Sequence, residues 1–175
     1  MPLSENRALD LIPNSKVKRV VEEALNDFYL NDSILLADKT NERTITHRLA
    51  EYLQRRLPGW TVDCEYNRWW KSLAPRHSKV AQIDCTCDPP RLDSEGGCVV
   101  PDIIVHHRRT DDNLLAIEVK TRWNLDPHDD CKLRAYTNAS GLAYRFGLFL
   151  TLADLGVEPD LKWYPENAAS DDSLC

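Results

Sequence analysis

The fold is decided by two neighbouring stretches, "VVPDIIVHHRR" at 99–109 and "NLLAIEVKTRW" at 113–123. Each is a short apolar run rich in β-formers, and "RRTDDN" at 108–113 between them is a polar turn suited to a hairpin. The pattern predicts strands over 101–107 and 114–120. Side chains alternate along a strand, so Glu118 and Lys120 share one face while Val119 and Ile117 turn into packing. Asp102 opens the first strand. In a hairpin, residues near 102 lie opposite residues near 119, which brings Asp102 beside Glu118 and Lys120. Two carboxylates converging at a sheet edge repel each other unless a cation joins them. A hard divalent ion with oxygen ligands, Mg²⁺ or Mn²⁺, meets that need. The adjacent ammonium can orient a water or stabilise charge developing on a phosphate.

Outward from the hairpin, "NERTITHRLAEYLQRRL" at 41–57 is a helix candidate, with Asn41 to cap it and "PG" at 58–59 to end it. Its apolar face carries Ile45, Leu49, Leu53 and Leu57. Glu42 lies on the same face, whereas Glu51 should see solvent. Glu42 is therefore the candidate third acid; a first-turn Glu favouring the helix dipole is the alternative. A further amphipathic helix is expected over 15–29, from the spacing of Val17, Val20, Val21, Ala24, Leu25 and Phe28. Residues 60–66 alternate as a strand. The stretch 67–98 reads mostly as a long loop, with a short strand possible at 80–85. A helix is expected from about 127, a buried strand over 144–153 and an edge strand over 161–164. Helices and strands in this order predict an α/β or α+β domain, a mixed central sheet flanked by helices.

The chain has 175 residues, 42% hydrophobic and 29% charged, the composition of one ordinary globular domain. No apolar run approaches the roughly 20 residues of a membrane helix. The opening "MPLSENRALDLIPNS" shows no signal-peptide pattern, so a cytoplasmic location and no membrane partner are expected. The six cysteines are then expected as reduced thiols. C-x-C at 85–87, with Cys98 and His106 or His107, lacks the paired knuckles of structural zinc. The net charge of −6 argues against holding nucleic acid by bulk charge alone. Within 43–79, however, eight basic residues stand against three acids, interleaved with Trp60, Tyr66, Trp69 and Trp70. Such a segment fits a phosphate backbone, and fits equally a solvated face over core aromatics.

Pro101-Asp102 followed by Glu118-Val119-Lys120, each on an apolar strand, resembles the PD-(D/E)xK nuclease superfamily and its restriction-endonuclease-like fold. The resemblance covers about residues 42–150. It implies Mg²⁺-dependent (or Mn²⁺-dependent) hydrolysis of DNA, endonucleolytic rather than exonucleolytic, leaving a 5′-phosphate and a 3′-hydroxyl. Asp102 and Glu118 would hold the ion, with the Val119 carbonyl and Glu42 completing its shell, and Lys120 would position the attacking water. Lys132 and Tyr136, on one face of the downstream helix, would contact nucleic acid or support the site. Arg68 and Lys71 would meet phosphate. A homodimer or a partner protein could supply further basic surface. The expected organisation is a single domain over 1–175: a helical extension at 1–40, a nuclease-like core at 42–164 and a flexible tail at 165–175. Two rivals stand beside this reading. One is a module of the same fold without activity. The other is a different enzyme using the two acids for acid–base chemistry, against which there is no G-x-S-x-G, H-E-x-x-H or Gly-rich phosphate loop.

Overall fold

A computed structural model describes residues 12, 14–66, 81–82, 98–124, 129–137 and 142–164. Arg68, Lys71, Cys85, Cys87, Gly141 and the expected tail lie outside these residues. The described elements are α1 (Asn14–Asp32), α2 (Ile34–Ala37), α3 (Glu42–Arg56), β1 (Thr61–Cys64), β2 (Ala81–Gln82), β3 (Cys98–Val99), β4 (Ile103–His106), β5 (Asn113–Thr121), α4 (Asp129–Thr137), β6 (Phe146–Leu152) and β7 (Asp160–Tyr164).

Five strands form an open mixed sheet in the order β1-β4-β5-β6-β7. The hairpin pairs antiparallel with Ile103 opposite Ile117 and Val105 opposite Leu115, and the register shifts between Val105 and His106. β5 and β6 run parallel, from Leu115 opposite Phe146 to Thr121 opposite Leu152, and α4 lies in the connection between them. β1 and β7 add antiparallel edges. β2 and β3 pair separately, Ala81 opposite Val99 and Gln82 opposite Cys98.

Strand alternation divides the core in two. Ile103, Val105, Leu115, Ile117, Val119, Leu148, Leu150 and Leu152 pack against α1 and α3. Ile104 and Ala116 turn the other way and pack with Leu133 and Tyr136 of α4 and with Tyr164. The result is three layers: two helices, the sheet, and α4. Within the stretch expected as an extension, α1 belongs to the first layer, since Val17, Val21, Ala24, Leu25 and Phe28 are all buried in the same core as α3. Close approach on the other face depends on Gly147, where an added Cβ would stand 3.1 Å from Thr137 Cγ2 and 3.3 Å from Leu133 Cδ2.

Candidate active site

The unequal lengths of β4 and β5 create the site. β5 has nine residues and β4 four, so β5 runs on past the start of its partner. A backbone N–H left over at such a point needs an acceptor. Asp102, immediately before β4, supplies it: its Oδ2 accepts from Val119 N at 2.8 Å. Asp102 O in turn accepts from Glu65 N at 3.1 Å, which ties in the end of β1. Burial pushes the Asp102 carboxyl above the ordinary carboxylate range. Glu42 pushes the same way, against the Val119 N–H and the ammonium groups of Lys120 and Lys132.

Glu118 follows on the face turned to α4 and is 2% exposed. Its Oε1 accepts from the Tyr136 hydroxyl at 2.9 Å, and Lys132 Nζ stands 3.7 Å from Oε2. Lys132 and Tyr136 sit four residues apart, one turn of helix, so both reach the same carboxylate. Lys120 extends from the end of β5 to Glu42 Oε1, 3.2 Å away, and Asn124 Nδ2 donates to Glu42 Oε2 at 3.3 Å. Glu42 is the first residue of α3, where the dipole favours an acid, and Asn41 caps that turn by accepting from Arg43 N at 2.8 Å.

These four side chains, Glu42, Asp102, Glu118 and Lys120, come from α3, the start of β4, and β5. Beside them is a cavity of about 250 Å³ lined by Glu42, Arg43, Thr46, His47, Cys64, Glu65 and Asp102. The Cys64 thiol is pushed up to about 11, by burial first and then by the carboxylates of Asp63, Glu65 and Asp102. The thiol is therefore protonated at neutral pH. No protein-family model, curated protein or solved structure matches the chain.

The donor chemistry fits a hard divalent ion. Asp102 and Glu42 offer carboxylate oxygens to one cavity, and their mutual repulsion at a buried position is what a cation would relieve. Among the described residues no group of three or more His, Cys, Asp or Glu stands ready as a ligand cluster.

The sequence expectations for the site meet different fates. Asp102 lies in the field of Lys120 and Glu42, which pair with each other, whereas Glu118 faces α4 and pairs with Tyr136 and Lys132. Val119 enters through its main chain, its side chain being buried against α1 and α3. Tyr136 is wholly buried with its hydroxyl on Glu118, so it supports the site and has no surface for nucleic acid. Lys132, a quarter exposed, faces the same carboxylate. Arg68 and Lys71 are not among the described residues. Of the basic segment, Arg48 pairs with Asp32 at 2.9 Å, Arg56 with Asp27 at 2.5 Å, and Trp60 stacks on His107 with centroids 4.1 Å apart. This part of the segment behaves as a solvated, ion-paired face. The two histidines weighed as zinc ligands are also engaged: His106 with Asp63 at 2.9 Å, and His107 with Asp112 at 2.6 Å. Sequence reasoning missed Asn124 and the part played by Glu65. "TRWN" gives no signal for a side chain that reaches back 82 residues to Glu42.

Proposed function

We propose that this chain is a metal-dependent nuclease of the PD-(D/E)xK type, with a restriction-endonuclease-like core, that hydrolyses phosphodiester bonds of DNA. One observation supports the reading: Asp102, fixed on the Val119 N–H, lies in the field of the paired Lys120 and Glu42, and the buried Glu118 directly precedes Val119 on β5. Asp102, Glu118 and Glu42 would hold Mg²⁺ or Mn²⁺, together with the Val119 carbonyl. When bound, the ion supplies positive charge against the scissile phosphate. Val119 N–H sets the plane of the Asp102 carboxylate, and the Tyr136 hydroxyl does the same for Glu118. Lys120, released from Glu42, holds the attacking water by its oxygen and faces the charge that grows on the phosphate. The water oxygen bonds to phosphorus as the bond to the 3′-oxygen breaks; the water gives up a proton to solvent and the departing 3′-oxygen takes one from solvent, leaving a 5′-phosphate and a 3′-hydroxyl.

A second reading has its own support. Glu42 is already paired with Lys120 and Glu118 with Lys132, so two of the three carboxylates are neutralised without metal. A binding module of the same fold would keep such pairs permanently. Calorimetric titration with Mn²⁺, on wild type and Asp102→Ala, separates the two. Binding that disappears in the variant, followed by metal-dependent nicking of plasmid DNA that Lys120→Ala abolishes, is the result expected of a nuclease. Absence of Mn²⁺ binding both with and without DNA would favour the module.

A further inference from the structure

Among the described residues that line the cavity, Arg43 alone carries a permanent positive charge. It stands in the first turn of α3, where the positive end of the helix dipole disfavours a cation. Its Nε lies 3.0 Å from Glu65 Oε1, and the two side chains are 81% and 54% exposed. Glu65 has φ 46°, in the left-handed region that side chains seldom adopt. Its N–H is the one that holds the Asp102 carbonyl. Two residues, each set against its own local preference, thus meet on the solvent side of a cavity that also contains Glu42 and Asp102. An ion pair this exposed contributes little to folding. A phosphodiester approaching the cavity meets the carboxylates of Glu42, Glu65 and Asp102, and a guanidinium fork is the group whose geometry matches its two free oxygens.

We propose that Arg43 is the phosphate-contacting residue of this site, and that Glu65 holds its guanidinium in place until a phosphodiester displaces the carboxylate. The identity of the strand as DNA rests on the nuclease reading above. The pair is a stand-by contact: Glu65 occupies the anion position when no substrate is present, and competes with substrate for Arg43. Removing the carboxylate therefore strengthens substrate binding, whereas removing the guanidinium weakens it.

The test is fluorescence anisotropy with a short fluorescein-labelled DNA duplex at low salt, in EDTA and again with Mg²⁺. The proteins are wild type, Arg43→Ala, Arg43→Lys, Glu65→Gln, Glu65→Gly and, as a charge control, Lys16→Ala on the exposed side of α1. Arg43→Ala should bind more weakly and lower the slope of log affinity against log salt by about 1, and Lys16→Ala should do neither. Arg43→Lys should restore the slope but bind less tightly than wild type. Glu65→Gln and Glu65→Gly should both bind more tightly than wild type. The inference is overturned if Arg43→Ala matches Lys16→Ala, if Glu65→Gln weakens binding as Arg43→Ala does, or if wild type fails to bind the duplex in either condition. Cleavage and Mn²⁺ binding are read separately. Wild-type protein that binds DNA through Arg43 but takes up no Mn²⁺ and cuts nothing removes the nuclease reading and keeps the phosphate contact. Wild-type protein that cleaves normally with Arg43→Ala unaffected does the reverse.

Discussion

At the scale of single residues, the buried Glu118 accepts a hydrogen bond from the Tyr136 hydroxyl and pairs with Lys132. A hydrogen bond to a charged group contributes about 1.5–3 kcal/mol, and the acceptor left behind in Tyr136→Phe would be a carboxylate that is 2% exposed. Tyr136→Phe should therefore lose stability of that order in urea denaturation. Wild-type stability in the variant would mean that Glu118 is held in some other way. Asp63 offers a pH test away from the site. Burial pushes its carboxyl up, but hydrogen bonds from Arg108 and His106 outweigh burial and leave it below the ordinary range. Its folded value is lower than its unfolded value. Its contribution is then complete above the unfolded carboxylate pKa near 3.9 and is lost as pH falls through the lower folded one. Asp63→Asn should flatten the acid limb of a stability–pH curve below about pH 4. An unchanged limb would show that Asp63 is not among the groups titrating there. At this scale the sequence was legible wherever periodicity is rigid. Period two alone puts Glu118 and Lys120 on one face, and helical spacing alone picks Glu42 over Glu51. Tyr136 was harder to place: a Lys–Tyr pair one turn apart looks the same on a surface as against a buried acid.

At the scale of elements, the position of α4 decides whether Tyr136 and Lys132 reach Glu118, and Gly147 decides how closely α4 lies on β6. A Cβ there meets Thr137, Leu133 and Tyr164 at 3.1–3.3 Å, and a branched side chain meets them sooner. Gly147→Val should destabilise the protein by about 1–3 kcal/mol and weaken Mn²⁺ binding along with it, because α4 must lift. Loss of stability with metal affinity unchanged would show that α4 shifts without disturbing Glu118. The long elements were legible within about three residues of their ends: 15–29 became Asn14–Asp32, 41–57 became Glu42–Arg56, and 114–120 became Asn113–Thr121. Of α2, β2 and β3, only β2 was foreshadowed, by the short strand expected within 80–85. Ile34–Ala37 is a single turn, and Ala81–Gln82 and Cys98–Val99 are two residues each, too brief for any periodicity to accumulate. Their pairing is set by tertiary contact.

At the scale of the whole molecule, metal binding and stability should be linked. A ligand that binds only the folded chain stabilises it by about 2.7 kcal/mol at a hundred times its dissociation constant. Mn²⁺ at that excess should raise the melting temperature of wild type and leave that of Asp102→Ala unchanged. A shift of equal size in both proteins would place the ion elsewhere. No helix among the described residues is long and apolar enough to cross a membrane. What the sequence could not convey at this scale is which acids cancel which bases: among the described residues of 43–79, Arg48 and Arg56 are met by Asp32 and Asp27 of α1, and Arg43 by Glu65 within the segment.

The contact between Lys120 and Glu42 spans 78 positions of chain, and the contact between Asn124 and Glu42 spans 82. Tyr136 reaches Glu118 from α4, the helix of the parallel crossover between β5 and β6. Contacts of this reach between Glu42, Lys120 and Asn124 do not exist until α3 has docked on the sheet. In a stopped-flow refolding experiment, the capacity to bind Mn²⁺ should therefore return in the final phase, after the far-ultraviolet circular dichroism change is complete. The long reach of these contacts acts as a safety catch: the proposed site is withheld until α3 and α4 have both closed on β5.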